Sequence, residues 1–443
     1  MPLTQAVPSG RLRVIAALLV LFPLAASAED DYFPPPDREG GWRTLKDSAQ
    51  IRKVAGMDLT RLDYAFEYAS RSSQHGGLLV VRHGYLVLEK YYGKGSRMAT
   101  PVVASCAKAF TSIACGIMLH EYKDKFPLGL DTKVFTGQYL PEAFPLDDPR
   151  KAEITLGQLL SMASGLHGEG GNPGFVNGVP SVRLEPVGGR GRGQTATPGQ
   201  AAATPGQPLS PRPFDPNQQD QSALHTPLWT DPGAGYSYTS QSPHIASIVL
   251  RHVTGMELQE YIDKKLAQPE GWGQWGWGVY RGENKIHTPG GADIALHATD
   301  FLRFEYAILH NGKWGRQQLI PAAYVEACGK PSPYQKHAPM SLMWEVNADG
   351  HVAGAPRDTF FKSGGGGFGV VVIPSLDMVI YKMAGADRQY DPGSTHIPQD
   401  YKYYDGSRDN WKPAERSQFS DGPIGTDDGL RRTIEMVVAA VVQ

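Results

Sequence analysis

Apolar residues recur along this chain with two distinct periods. Between Leu59 and Ser70 they fall at Leu62, Ala65, Phe66 and Ala69, a spacing that predicts a helix. Gly77-Leu78-Leu79-Val80-Val81 and Tyr85-Leu86-Val87-Leu88 predict two strands, with His83-Gly84 as the turn between them. His83 is read there as a turn residue. Ser105 to Tyr122 is apolar at Phe110, Ile113, Ala114, Ile117 and Met118 and predicts a second helix. Thr155 is suited to cap a third, running to Ala163 and stopped by Ser164-Gly165. His244 to Val253 and Thr299 to His310 predict two more, closed by Thr254-Gly255 and Asn311-Gly312. Leu342 to Val346, Gly369 to Ile373 and Met378 to Met383 predict strands, and Arg431 to Val442 a final amphipathic helix.

Strands at both ends around a helix-rich middle predict an α+β fold. The expected architecture is an antiparallel β-sheet flanked by helices, with an inserted, mainly helical lobe. The sheet lobe is expected over about 60–100 and 290–443, and the helical lobe over about 101–289. From about Gly168 to Gln221 the composition changes to Gly, Pro, Gln and Ala, and Ala-Thr-Pro-Gly-Gln at 196–200 nearly repeats at 203–207. Such a stretch cannot bury a core and reads as a long loop or low-complexity insertion.

The N-terminus changes the picture next. Arg11 and Arg13 precede an apolar run from Val14 to Ala25, followed by Ala26-Ser27-Ala28. This is the pattern of a secretory signal peptide over residues 1–28, cleaved after Ala28. The run is shorter than the ~20 residues a membrane span needs, so the mature chain, 29–443, is expected without a stable span and in the periplasm or secreted. The 443 residues carry a formal net charge of -2 and no long basic stripe, which argues against a nucleic-acid partner. Three cysteines, Cys106, Cys115 and Cys328, are too few for a disulfide scaffold and read as buried thiols. The 13 histidines are scattered without an H-E-x-x-H motif, so neither a metal nor a cofactor is expected. His167, His297 and His351 read as supporting or structural. No G-x-S-x-G elbow occurs, which argues against an α/β-hydrolase.

Three segments carry candidate chemistry. Ser105-Cys106-Ala107-Lys108 has the S-x-x-K spacing, and three residues along a helix place Ser105 and Lys108 on one face. An uncharged amine beside a hydroxyl can take its proton, and a helix N-terminus offers free N–H groups to a developing oxyanion. The plainer alternative is an N-terminal Ser followed by a surface Lys. Pro232 to Ser240 is a turn-rich segment before a helix, in which Tyr238 either places a phenol over the Ser–Lys pair or packs as an ordinary aromatic. Phe361-Lys362-Ser363-Gly364-Gly365-Gly366-Gly367 leads into an apolar strand. Its glycines allow close backbone approach to a ligand, and Lys362 either holds an acidic substrate group or is solvated.

The order S-x-x-K, then a Tyr-x-Asn-like triplet, then Lys-Ser-Gly resembles the serine β-lactamase-like superfamily, and in particular its class C, penicillin-binding-protein and esterase branch. Ile154 to Leu166, Pro232-Gly233 and Gly290-Gly291-Ala292-Asp293 extend the likeness, which covers about residues 60–390 apart from the insertion. The resemblance implies Ser105 as nucleophile, Lys108 as its proton partner and Tyr238 as a second proton-shuttling group. It also implies an oxyanion hole from the N–H groups of Ser105 and Gly365, with Lys362, Ser363 and Gly364 lining the pocket. The third position of the Tyr-x-Asn triplet is Ser240, a departure with shorter reach that weakens the implied recognition of amides.

The expected function is therefore an exported serine hydrolase acting on a small ester, amide or peptide-like substrate through an acyl-enzyme on Ser105, esterase-like in preference. β-Lactam or D-Ala-D-Ala hydrolysis is the alternative within enzymes. A catalytically silent binding protein on the same fold is the alternative outside them.

Overall fold

The computed structural model describes residues 1, 32–45, 47–168, 175–176, 179–180, 216–277, 279–281, 285–292, 294–390 and 426–442. Apart from Met1, the expected signal peptide lies outside the described residues, as does most of the 168–221 insertion. The chain divides into two compact units, Met1–Tyr32 and Phe33–Gln443, and the second carries everything that follows.

Its centre is a seven-stranded antiparallel sheet. The strands are β1 (Gly76–Arg82), β2 (Tyr85–Tyr92), β3 (Met340–Ser341), β4 (Trp344–Val346), β5 (Phe360–Gly364), β6 (Phe368–Ile373) and β7 (Met378–Met383), in the spatial order β3-β4-β5-β6-β7-β1-β2. The early hairpin thus docks on the last strand, pairing Gly77 with Met383 and Val81 with Val379. His83 and Gly84 form the β1–β2 turn with φ of 51° and 71°, as the hairpin reading expects.

Strand alternation sorts side chains between two layers. Leu78, Val80, Phe361, Val371 and Ile380 join one core cluster with Leu62, Ala65 and Ala69 of α1 (Leu59–Arg71). Further along the chain come α2 (Ala107–Glu121), α3 (Leu156–Leu160), α4 (Pro216–Leu224), α5 (Gln241–Thr254), α6 (Ala298–Leu309) and α7 (Thr426–Ala439). Leu430, Ile434 and Val437 of α7 complete that first cluster. The other face receives α6, where Phe301 stacks on Tyr381 of β7 with ring centroids 4.3 Å apart. This is the mixed helix and antiparallel-sheet fold expected from the sequence.

The structure corrects several boundaries. The expected strand over 342–346 is broken, because Leu342 and Met343 take φ of 45° and 71° and turn the chain from β3 into β4. Ser105 lies in a 3-10 turn, Ala104–Cys106, and the α-helix proper begins at Ala107. The helix capped by Thr155, which with Gln158 forms a reciprocal capping box, ends at Leu160 instead of Ala163. The insertion ends earlier than Gln221, because α4 already occupies Pro216–Leu224 and packs on α5.

α2 is the element that positions the candidate chemistry, and one residue anchors it. Phe110 stacks on Phe304 of α6 at 3.8 Å and meets Phe301, Trp272 and Trp277 edge-on. Phe110→Ala should cost about 3–5 kcal/mol of unfolding free energy, the range for emptying a buried aromatic site. Urea denaturation checks it; a loss below about 1 kcal/mol would mean that this aromatic cluster is not what holds α2.

Candidate active site

The site begins with a buried amine. Lys108 sits on the first turn of α2 with 0% of its surface exposed. Its Nζ donates to Ser105 Oγ at 2.9 Å, to Ser240 Oγ at 3.0 Å and to the Gly291 carbonyl at 2.5 Å. Three acceptors for one amine match its full donor capacity when protonated.

Each acceptor arrives on a different segment. Ser105 comes from the 3-10 turn, and Ser240 is the N-cap of α5. Gly291 belongs to a loop threaded between α2 and α5. Its neighbour Gly290 accepts from Thr111 Oγ1 at 2.6 Å, and its N–H donates to Ser247 Oγ at 3.2 Å. Glycine is needed in this loop for space: a Cβ on Gly290 would lie 2.3 Å from the Pro243 carbonyl, and one on Gly291 2.8 Å from the Ser240 carbonyl. The sequence showed Gly290-Gly291 only as part of the resemblance; the role of the Gly291 carbonyl as a lysine acceptor has no local signature.

Tyr238 stands between two amines. The ring centroid is 5.1 Å from Lys108 Nζ and 5.0 Å from Lys362 Nζ. The phenol is hydrogen-bonded to Ser105 and to Lys362. Burial raises its pKa, but the two lysines and these hydrogen bonds outweigh that and hold it below the ordinary tyrosine value. Lys362 is raised in turn: burial lowers it, and the facing Tyr238, with Cys106, Glu345 and the tyrosine hydrogen bond, prevails. Tyr238 is therefore not ordinary packing, and Lys362, only 2% exposed, is not solvated.

Lys362 reaches this face by strand alternation, since Phe361 before it points into the α1–α7 cluster. Ser363 alternates to the other side of β5 from Lys362 and is partly exposed, so its backbone is what it brings to the site. Gly364 ends the strand and Gly365 begins the following turn, both beside the Ser105 turn. A Cβ on Gly364 would lie 2.3 Å from the Val103 carbonyl and 3.0 Å from Cys106 Sγ, and one on Gly365 3.6 Å from Ala104 Cβ. Cys106 Sγ donates to the Lys362 carbonyl at 3.3 Å, a second tie between turn and strand. Ala104 takes a φ of 48°, a costly conformation for a residue with a Cβ and one that concentrates at functional turns.

The structure thus brings Ser105, Lys108, Tyr238, Ser240 and Lys362 into one hydrogen-bonded group, with Gly364 and Gly365 beside it. His297 Nδ1 faces Asp300 at 3.4 Å, and His351 bonds Glu345 and Asp349 at 2.9 and 2.6 Å. Burial lowers the pKa of His167. Among the described residues no cluster of His, Cys, Asp or Glu has the arrangement to hold a metal ion, and no helix is long and apolar enough to cross a membrane.

Comparison with known proteins gives the same direction. The family model described as Beta-lactamase matches residues 67–393. No curated protein matches the sequence. Among solved structures, the chain is similar to a penicillin-binding protein homologue from Caulobacter crescentus, at 13% identity and a TM-score of 0.53, covering 86% of this chain and 97% of that one. It is similar to EstCE1, a hydrolase with promiscuous acyltransferase activity, at 18% identity and a TM-score of 0.54, covering 74% and 93%. A family VIII carboxylesterase is 16% identical with a TM-score of 0.53, covering 74% and 91%. At these identities the likeness is one of fold.

The Tyr238 electrostatics can be measured directly. Replacing Lys362 by Met removes one of the two charges that stabilise the phenolate, so the Tyr238 pKa should rise. Ultraviolet difference titration against Tyr238→Phe isolates this ionisation. A Lys362→Met protein whose Tyr238 titrates at or below the unsubstituted value would contradict the assignment of Lys362 as a stabilising cation.

Proposed function

Because the chain belongs to the β-lactamase family, we propose that it is a serine hydrolase that cleaves esters through an acyl-enzyme on Ser105. The carrying observation is the bridge from Lys108 Nζ to Ser105 Oγ and Ser240 Oγ, with Tyr238 bonded to the same Ser105. With Lys108 donating to three oxygens, the proton of Ser105 passes to the Tyr238 phenolate, which the two amines favour. Ser105 Oγ then bonds to the ester carbonyl carbon, and the resulting oxyanion is held by the N–H groups of Ser105 and Gly365. Collapse breaks the bond to the leaving alkoxide, which takes the proton from Tyr238. Water repeats the sequence: Tyr238 accepts its proton, the hydroxide attacks the acyl group, and Ser105 leaves with the proton returned.

The preference for esters rests on Ser240. An Asn at this position offers both a donor and an acceptor to a substrate amide, while Ser offers one short hydroxyl that is already bonded to Lys108. An alkoxide also leaves more readily than an unprotonated amine. Lys362 supports a carboxylate-bearing substrate, and that cation is what favours the second reading, β-lactam or D-Ala-D-Ala hydrolysis. Export to the periplasm or medium is part of the proposal and rests on residues 11–28.

A fluorophosphonate probe should label Ser105, as read by peptide mass spectrometry, and labelling that persists in Ser105→Ala would remove the nucleophile. Lys108→Ala should lower turnover by at least ~10²-fold, because Tyr238 loses one of the two cations that favour its proton-accepting form; a melting temperature measured alongside separates this from loss of fold. For substrate class, kcat/KM is compared for a short acyl ester and nitrocefin. The ester should be preferred, and Ser240→Asn should shift the ratio toward nitrocefin. Wild type hydrolysing nitrocefin far faster than any ester would replace the esterase reading with the second one.

A further inference from the structure

We propose that Gln389 is a positioning residue for the oxyanion hole, a role that rests on the serine-hydrolase reading above. The two proposed donors, the N–H groups of Ser105 and Gly365, belong to segments about 260 residues apart in sequence, and stabilisation of an oxyanion needs both aimed at one point. Something must fix the distance between them.

Gly364 to Gly367 cannot do so unaided. Four consecutive glycines have no side chains to pack and the widest conformational freedom of any run, and Gly366 and Gly367 take φ of 102° and 98°. The turn must be pinned from outside. Lys382 Nζ holds the Gly367 carbonyl at 2.6 Å, and the Gly367 N–H closes on the Gly364 carbonyl at 3.1 Å. Gln389 does more than either, because it holds both sides of the hole.

Gln389 ends a one-turn 3-10 helix, Asp387–Gln389, just beyond β7, and is 7% exposed. Its Nε2 donates to the Gly365 carbonyl at 2.8 Å and to the Val102 carbonyl at 3.3 Å. Its main-chain carbonyl accepts from the Val102 N–H at 3.0 Å, so Val102 is gripped at both its polar groups. Three residues after Val102 comes Ser105. The Gln389 amide cannot rotate out of this role, because its Oε1 accepts from the Ala386 N–H at 3.0 Å. Two N–H groups meet two carbonyls and one oxygen meets one N–H, so the side chain's polarity is matched to its surroundings. The pocket is made for it: a Cβ on Gly366 would lie 2.8 Å from Gln389 Oε1, and one on Gly385 2.9 Å from the same atom.

An element that fixes donor geometry acts where charge develops, in the transition state, and little on the bound ester. Its loss should lower kcat and leave KM alone. Two variants separate this from a purely structural role. Gln389→Glu keeps the shape and the acceptor for Ala386 but has no donor for the two carbonyls; Gln389→Met removes both. Each is measured for kcat and KM on p-nitrophenyl butyrate, for affinity toward phenylboronic acid, which forms a tetrahedral anion on the serine, and for melting temperature.

The expected result is a kcat lower by ~10–10²-fold in both variants, part of the loss seen when an oxyanion donor is deleted outright. KM should stay within roughly threefold, and boronate affinity should fall in step with kcat. Unchanged kcat, or a kcat loss with boronate affinity intact, overturns the proposal. So does failure of both variants to fold, which would make Gln389 a support of the fold instead. A wild type without Ser105-dependent ester hydrolysis would instead end the reading beneath it, so the two failures are distinguishable.

Discussion

A primary amine with none of its surface exposed imposes the organisation of this molecule. Taking an amine out of water costs several kcal/mol unless its donors are met by oxygens in good geometry. Lys108 meets that condition by gathering a hydroxyl from its own turn, a hydroxyl from the start of α5 and a carbonyl from the loop before α6. Two segments, 132 and 183 residues further along the chain, must converge on the Ser105–Lys108 turn within hydrogen-bonding reach. The convergence dictates the neighbourhood: it brings Tyr238, two residues before Ser240, over the pair, and it allows no side chain on Gly290 or Gly291.

A second amine answers the first from the sheet. Lys362 comes from β5 and Lys108 from α2, and the Tyr238 ring lies about equally far from both. The phenol is therefore the point at which the helical part of the chain and the sheet meet electrostatically. Placing a phenol between two cations favours its anion without any third titratable partner. The same junction is stitched by weaker ties, from the Cys106 thiol to the Lys362 carbonyl and from the Gln389 amide to Gly365 and Val102.

Much of this was legible in the sequence, and the reason differs by element. The hairpin at His83-Gly84 and the helices expected from Leu59, His244 and Thr299 follow local periodicity and local stops, which a chain writes openly, although the last two begin earlier, at Gln241 and Ala298. The Ser105–Lys108 pair is likewise a short-range spacing, and it survives the finding that Ser105 lies in a 3-10 turn. Leu342 and Met343 defeated the pattern, because apolar residues in a left-handed turn look like strand residues until the pairing of β3 and β4 is known. The Gly291 carbonyl and the Gln389 amide were out of reach altogether. Backbone acceptors carry no residue signature, and a glutamine whose partners lie 24 and 287 residues away has no local pattern to display.

The residue following Ser105 has a consequence for inhibitor chemistry. Cys106 has no exposed surface, and burial, with Glu305 adding to it against the pull of Lys362 and Lys108, pushes its thiol up to about 12. Oxidants and soft electrophiles attack the thiolate, a form this side chain hardly visits at neutral pH. The sulfur is thus a silent neighbour: peroxide and thiol-seeking warheads pass it by, and a hard, oxygen-seeking electrophile has no competing sulfur at the adjacent position.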